Sequence, residues 1–234
     1  MSIAENLLKY KNELEPQDVT LVAVSKNHPA EAVLEAYGAG QRIFGENLVQ
    51  EMCEKASVLP TDIEWHLIGH LQTNKVKYIA PFVKLIQSVD SLKLLIEINK
   101  QAAKNKRVID CLLQVYIADE ESKFGLGYDE LIELLRSDDF KLLENIRITG
   151  LMGIATNQAS EKQISAEFNE LKVLFEGIKI SFFKRESTFK EISMGMSADY
   201  KLALAEGSTM VRIGSDIFGK RVIKHWKMNT TNAS

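Results

Sequence analysis

The 234-residue sequence predicts an α/β fold: a single (β/α)8 TIM-type barrel carrying an extra N-terminal helix. Three observations lead there. Eight short apolar, β-branched runs alternate with amphipathic stretches through connections of a few residues, with no linker, repeat or low-complexity segment between them. The runs read as continuous apolar stretches, as strands do when helices cover both faces. The competing open, doubly wound sheet would more often offer about five or six strands and a glycine-rich first turn, and that turn is missing.

Composition sets the bounds. With 45% hydrophobic residues the chain can bury one large core, and residues 1–234 are taken as one domain. A net charge of -3 without Lys/Arg blocks argues against nucleic-acid or membrane partners and leaves small molecules. Cys53 and Cys111 have neither CxxC spacing nor the density of a disulfide framework, which fits reduced thiols in the cytoplasm and no metal site. No helix shows an extra apolar stripe, so a monomer is expected.

Residues 1–16 read as the extra helix, with Ile3, Leu7, Leu8 and Leu14 on one face, unlike a signal peptide. Strand one, 19–26, is VTLVAVSK, and alternation places Lys26 on the face of Thr20, Val22 and Val24. His28 in the following NHP turn reads as a solvated loop residue. A helix over 30–37 stops at Gly38 and Gly40. Strand two, 41–44, leads through Gly45-Glu46-Asn47 into a helix over 48–57, so Asn47 is either its N-cap or a side chain aimed into the barrel mouth, or both. Strand three, 64–68, ends in Gly69-His70 before a helix near 72. His66 and His70 across a strand end need not converge, and no carboxylate or cysteine stands at zinc-ligand spacing.

Strand four, 83–88, precedes a helix over 91–103. Strand five, 108–117, is followed by the loop ADEESKFGLG, whose glycines are no dinucleotide fingerprint. A helix over 129–136, strand six over 146–154 and a long helix over 160–175 follow. Strand seven, 189–194, runs into Gly195-Met196-Ser197 and a short helix over 199–206. Strand eight, 209–213, ends in Gly214-Ser215, and the polar tail 227–234 is expected to fray.

In such barrels the active face is built from strand carboxyl ends, and the loops after strands seven and eight commonly hold phosphate. Ser197 would open a short helix whose N–H groups suit an anion, and Gly214 and Ser215 would let backbone amides approach it. Taken singly, each has a bland explanation as cap or turn, and a strand-end lysine commonly just snorkels to water. Barrel closure joins them. Lys26 on strand one then lies roughly 5 to 10 Å from the strand-eight loop, a gap that one phosphorylated aldehyde ring fills. A desolvated lysine forms Schiff bases, and pyridoxal 5′-phosphate needs such a lysine, an anion cradle and a partner for its ring nitrogen. Arg212, on the face of Met210 and Gly214, would be that partner. A guanidinium donates but cannot accept, so the pyridine would stay unprotonated and carbanion chemistry would be damped.

The motifs VAVSK, RIFGENLVQE, EWHLIGHLQTNK, ESKFG, GLMGIAT, SMGMSADYKLA and GSTMVRIGSDIFGKR, in that order, resemble the pyridoxal 5′-phosphate homeostasis protein family over residues 19–221. The resemblance implies a fold-type III barrel similar to the alanine racemase N-terminal domain, with pyridoxal phosphate on Lys26. It implies Asn47 in the cofactor pocket, Ser197, Gly214 and Ser215 on the phosphate, and Arg212 at the pyridine nitrogen. It further implies a role in vitamin B6 supply without established catalysis, with apo-enzymes as transient recipients of the cofactor. Leu48 departs from the tyrosine often found after GEN, which leaves no phenol contact there. The rival readings are a pyridoxal-phosphate-dependent racemase and a cofactor-free Schiff-base aldolase or isomerase. Racemisation needs acid/base groups on both faces of the substrate carbon, and the sequence ends soon after strand eight, so an open, watery mouth is expected.

Overall fold

Eight parallel strands close on themselves in chain order in the computed structural model, which describes residues 2–118 and 124–219. The strands are β1 (Thr20–Val24), β2 (Ile43–Glu46), β3 (Glu64–Leu67), β4 (Leu85–Val89), β5 (Ile109–Val115), β6 (Ile146–Gly153), β7 (Glu191–Met196) and β8 (Met210–Ile213). β8 pairs back onto β1 with Thr20 opposite Met210 and Ala23 opposite Ile213. Helices α1 (Ile3–Leu14), α2 (Ala30–Gly38), α3 (Val49–Ala56), α4 (Val76–Ile79), α5 (Leu92–Lys104), α6 (Tyr128–Arg136), α7 (Asp138–Lys141), α8 (Glu161–Phe182), α9 (Tyr200–Ala205) and α10 (Ser215–Phe218) surround the sheet. The tail 227–234 and residues 121–123 of the ESKFG motif lie outside the described residues. Among the described residues no helix is long and apolar enough to cross a membrane.

Strand alternation sorts the side chains into two cores. Val22, Leu85, Leu112, Met152 and Met210 fill the barrel interior, while Leu21, Ala23, Phe44, Trp65, Ile192 and Val211 belong to the larger core under the helices. Even-numbered positions of β1 and β8 therefore face inward.

The N-terminal helix is closed by a capping box in which Ser2 and Glu5 bond each other's backbone N–H. It buries Leu7, Tyr10 and Leu14. Leu8, expected on that face, is 58% exposed, because it lies one residue, about 100° of helix, away from Leu7. Tyr10 takes its place in the stripe.

Other expectations shift for local reasons. β2 runs two residues later than expected because the Gln41 side chain donates to the backbone oxygens of Leu21 and Ile43, which ties position 41 down as a loop. The N-cap of α3 is Leu48 in extended conformation, so Asn47 does not cap it. Helix α8 continues past 175 because Phe175 and Ile178 keep its apolar period, and it stops after Phe182. His28 is buried, its ring 5.2 Å from that of Phe218, not solvated. α10, absent from the sequence reading, starts immediately after β8.

Candidate functional site

Four neighbouring strands, β7, β8, β1 and β2, bring the residues singled out from the sequence to one end of the barrel. Val24 at the end of β1 stands opposite Gly45 of β2, and Ser25 N–H donates to the Gly45 oxygen at 3.1 Å. On the other side a Cβ at position 214 would lie 3.1 Å from the Val24 oxygen, so glycine there lets the ends of β1 and β8 meet. Half-buried Lys26 follows two residues beyond Val24, and half-buried Asn47 follows Glu46 directly. Asn47 is held against the next strand end: a side chain on Gly69 would collide with the Asn47 backbone oxygen.

The two anion-loop candidates touch. Gly214 N–H donates to Ser197 Oγ at 3.4 Å, joining the loops after β7 and β8. Ser197 does not open the helix, however. A turn intervenes in which Asp199 N–H bonds the Met196 oxygen and the Asp199 carboxylate accepts from Met196 N–H, so α9 begins at Tyr200. The helix that starts at this end is α10, with Gly214 as N-cap and Ser215 as its first residue. With six residues in α9 and four in α10, neither carries a large dipole. The anion-binding capacity therefore rests on discrete donors: the hydroxyls of Ser197 and Ser215, the latter 3.3 Å from Asp216 Oδ1, and the Ser215 and Asp216 amides, since those of Ile217 and Phe218 already donate to the Gly214 oxygen.

α1 supports this corner from outside. Tyr10 Oη donates to Asp216 Oδ2 at 2.6 Å, Asn6 Nδ2 donates to the Ile217 oxygen at 3.2 Å, and Tyr200 Oη donates to Glu13 at 3.1 Å. Burial and the Asp216 carboxylate push the Tyr10 phenol upward, which keeps it a donor.

Beneath the mouth, Arg212 points inward and is buried. Its Nη1 donates to Ser193 Oγ at 2.6 Å and its Nη2 to the Gly153 oxygen at 2.9 Å. Ser193 Oγ donates to Gln87 Oε1 at 2.7 Å, and Gln87 Nε2 donates to His66 Nδ1 at 3.0 Å. The direction of that chain makes His66 an acceptor at Nδ1, hence neutral with its proton on Nε2. Burial, helped by Lys84, holds His66 down at about 3, and burial lowers Arg212 to about 10, where it stays charged at neutral pH. His70 turns away to Asp90 at 3.1 Å, and among the described residues no group of His, Cys, Asp or Glu forms a metal site.

The sequence reading missed Gln87 and Ser193, although polar residues at inward positions of buried strands are a usable signal. It also missed a buried cluster behind β1, in which Lys55 Nζ donates to Glu46 Oε1 at 2.6 Å, Glu51 Oε1 at 2.8 Å and the Ser25 oxygen at 2.7 Å.

The arrangement fits pyridoxal phosphate: hydroxyl and amide donors for a phosphate at β7 and β8, an amine at the end of the adjacent β1, and a buried guanidinium below both. None of the six residues is acidic, and Asp216, the carboxylate next to Ser215, is held by the Tyr10 hydroxyl.

Comparison with known proteins agrees with this fold. The family model for the alanine racemase N-terminal domain matches residues 1–222. A pyridoxal phosphate homeostasis protein of Aquifex aeolicus is 39% identical over 203 residues, covering 86% of each chain. The protein of the same name from Escherichia coli K12 is 37% identical over 232 residues, 94% of this chain and 97% of its own. PipY of Synechococcus elongatus PCC7942 is 38% identical and superimposes with a TM-score of 0.87 without PLP and 0.83 with PLP bound, over 93% of this chain and all of PipY. The chain thus belongs to the alanine racemase N-terminal domain family, within the group of pyridoxal phosphate homeostasis proteins.

Proposed function

We propose that this chain binds pyridoxal 5′-phosphate as a Schiff base on Lys26 and serves in pyridoxal phosphate homeostasis and delivery, without robust catalysis of its own. The observation that carries the reading is the meeting of β1 and β8 at Val24 and Gly214, which sets the lysine turn beside the anion donors. The relatives' name and the PLP held by PipY support it.

Bound there, the cofactor supplies an electrophilic aldehyde and an electron-withdrawing ring. Lys26 Nζ attacks the aldehyde carbon, C=N replaces C=O, and the oxygen leaves as water with both amine protons. Ser197, Gly214 and Ser215 hold the phosphate, Asn47 flanks the ring, and Arg212 donates to the pyridine nitrogen. A donor at that nitrogen leaves it unprotonated, which weakens carbanion stabilisation and favours holding the cofactor over turning over amino acids. Residues 1–234 are read as one cofactor-binding domain, acting as a monomer in the cytoplasm with apo-enzymes as transient recipients.

The test is direct. Purified protein incubated with pyridoxal phosphate should gain a visible absorbance band. Borohydride reduction followed by peptide mass analysis should place the adduct on Lys26, and Lys26→Ala should abolish it. A colourless native chain, or an adduct elsewhere, refutes the proposal. Sustained interconversion of L- and D-alanine, lost in Lys26→Ala, would favour the racemase reading instead.

A further inference from the structure

The turn that carries Lys26 is anchored on both sides by a buried ionic cluster that the function described so far does not use. Alternation along β1 puts Ser25 on the helix-facing side of the sheet, with Leu21 and Ala23. There its hydroxyl donates to Glu46 Oε1 at 2.6 Å and its backbone oxygen accepts from Lys55 Nζ at 2.7 Å. On the other side of Lys26, Asn27 N–H donates to Glu51 Oε1 at 2.7 Å. Asn27 adopts the left-handed conformation at φ 63°, which side chains seldom choose unaided. Three bonds to the cluster thus fix the residues flanking Lys26.

The cluster is also unbalanced. Two buried carboxylates share one ammonium, and the second oxygen of each, Glu46 Oε2 and Glu51 Oε2, has no hydrogen-bond partner among the described residues. A buried carboxylate oxygen left without a donor is costly unless a proton fills the place. Glu54 on α3, Glu31 on α2 and His28 in the turn line the pocket that reaches Glu51 and Lys55 from outside.

We propose that Glu46, Glu51 and Lys55 are positioning residues for Lys26: a proton-sharing cluster that holds the amine's turn from behind the sheet and ties its reaction with an aldehyde to the protonation of Glu46. The inference rests on the Schiff-base reading of Lys26. Burial raises Glu46 to about 7, so the net charge behind the turn changes across the neutral range. None of the three need touch the cofactor.

The experiment mixes cofactor-free protein with pyridoxal phosphate over roughly pH 5.5 to 9 and follows the rate of the visible band, with borohydride trapping to confirm the site. The native chain should show a bend near neutrality. Glu46→Gln keeps an acceptor for Ser25 and Lys55 and should lose that bend. Glu51→Gln weakens the tie to Asn27 and should slow adduct formation about threefold or more at every pH. Thermal midpoints of the cofactor-free proteins are measured alongside. A cluster that only supports the fold would lower the midpoints and leave the rate profile of the folded protein unchanged, which overturns the proposal. If Glu46→Gln does not fold, Ser25→Ala removes only the hydroxyl tie: a shifted bend supports the inference and an unshifted one overturns it. A native chain that forms no adduct at all brings down the reading of Lys26 and this inference with it, whereas a normal native adduct with indifferent variants brings down this inference alone.

Discussion

Replacing Glu46 by Gln should change folding stability in a way that depends on pH, with a sign fixed by burial. Burial is the largest influence on this carboxyl and the nearby Glu51 charge adds to it. Lys55 and the Ser25 hydroxyl oppose them, and the outcome is a rise from 4.5 to about 7. The folded carboxyl therefore holds its proton more tightly than the unfolded one. Its contribution to stability is fully present below about pH 4.5 and is lost as pH rises through about 7, and a shift of about 2.5 units corresponds to about 3 kcal/mol. His66 works the other way. Held at about 3 against an ordinary 6.5, it contributes stability above 6.5 that is lost as pH falls toward 3. The native chain's own pH profile sums these opposed slopes, so only the difference between native and variant isolates Glu46. Urea unfolding at about pH 5 and about pH 8 measures that difference, which should move by about 2–3 kcal/mol in favour of Glu46→Gln at the higher pH. A difference that stays constant within about 0.5 kcal/mol would mean that Glu46 is not a proton-binding group in the folded state, and the reasoning fails.

Lys55→Met strands two buried carboxylates and should cost about 3–5 kcal/mol in urea unfolding at neutral pH. Gln87→Leu leaves the Ser193 hydroxyl and His66 Nδ1 without their partner inside the barrel and should destabilise by about 2 kcal/mol, read from the urea midpoint at unchanged slope. Tyr10→Phe removes the bond to Asp216, so equilibrium unfolding should show a loss of about 1 kcal/mol and titration a weaker affinity for pyridoxal phosphate. Arg212→Gln replaces a charged donor by a neutral one and should raise the dissociation constant for pyridoxal phosphate about tenfold or more, measured by equilibrium dialysis with Lys26 intact.

Much of this protein was legible before any coordinates. The eight strands and the helices between them follow from apolar periodicity, and β1 alternation already placed Val22 inward and Lys26 at the carboxyl end. Boundaries were less secure, because they depend on side-chain bonds between elements. Gln41 delays β2 by reaching two backbone oxygens, and Asp199 delays α9 by turning back on Met196. α10 escaped notice because four residues are too few to show a period. His28 was misread for a related reason: a polar residue in a turn looks solvated until α10, which follows β8, delivers Phe218 beside it.

By itself, the sequence determined the order of the eight strands, the side-chain alternation of β1 and β8, and which strand ends carry an amine, a guanidinium and small hydroxyl residues. All of these are consequences of local periodicity, which repeats every two or 3.6 residues and needs no knowledge of distant partners. The tertiary structure alone decided which distant groups meet: Arg212 with Ser193, Gln87 and His66, Lys55 with Glu46 and Ser25, Tyr10 with Asp216. Those contacts depend on the register and curvature with which the barrel closes, and a hydrogen bond forms or fails over a few tenths of an ångström, far finer than any spacing along the chain resolves.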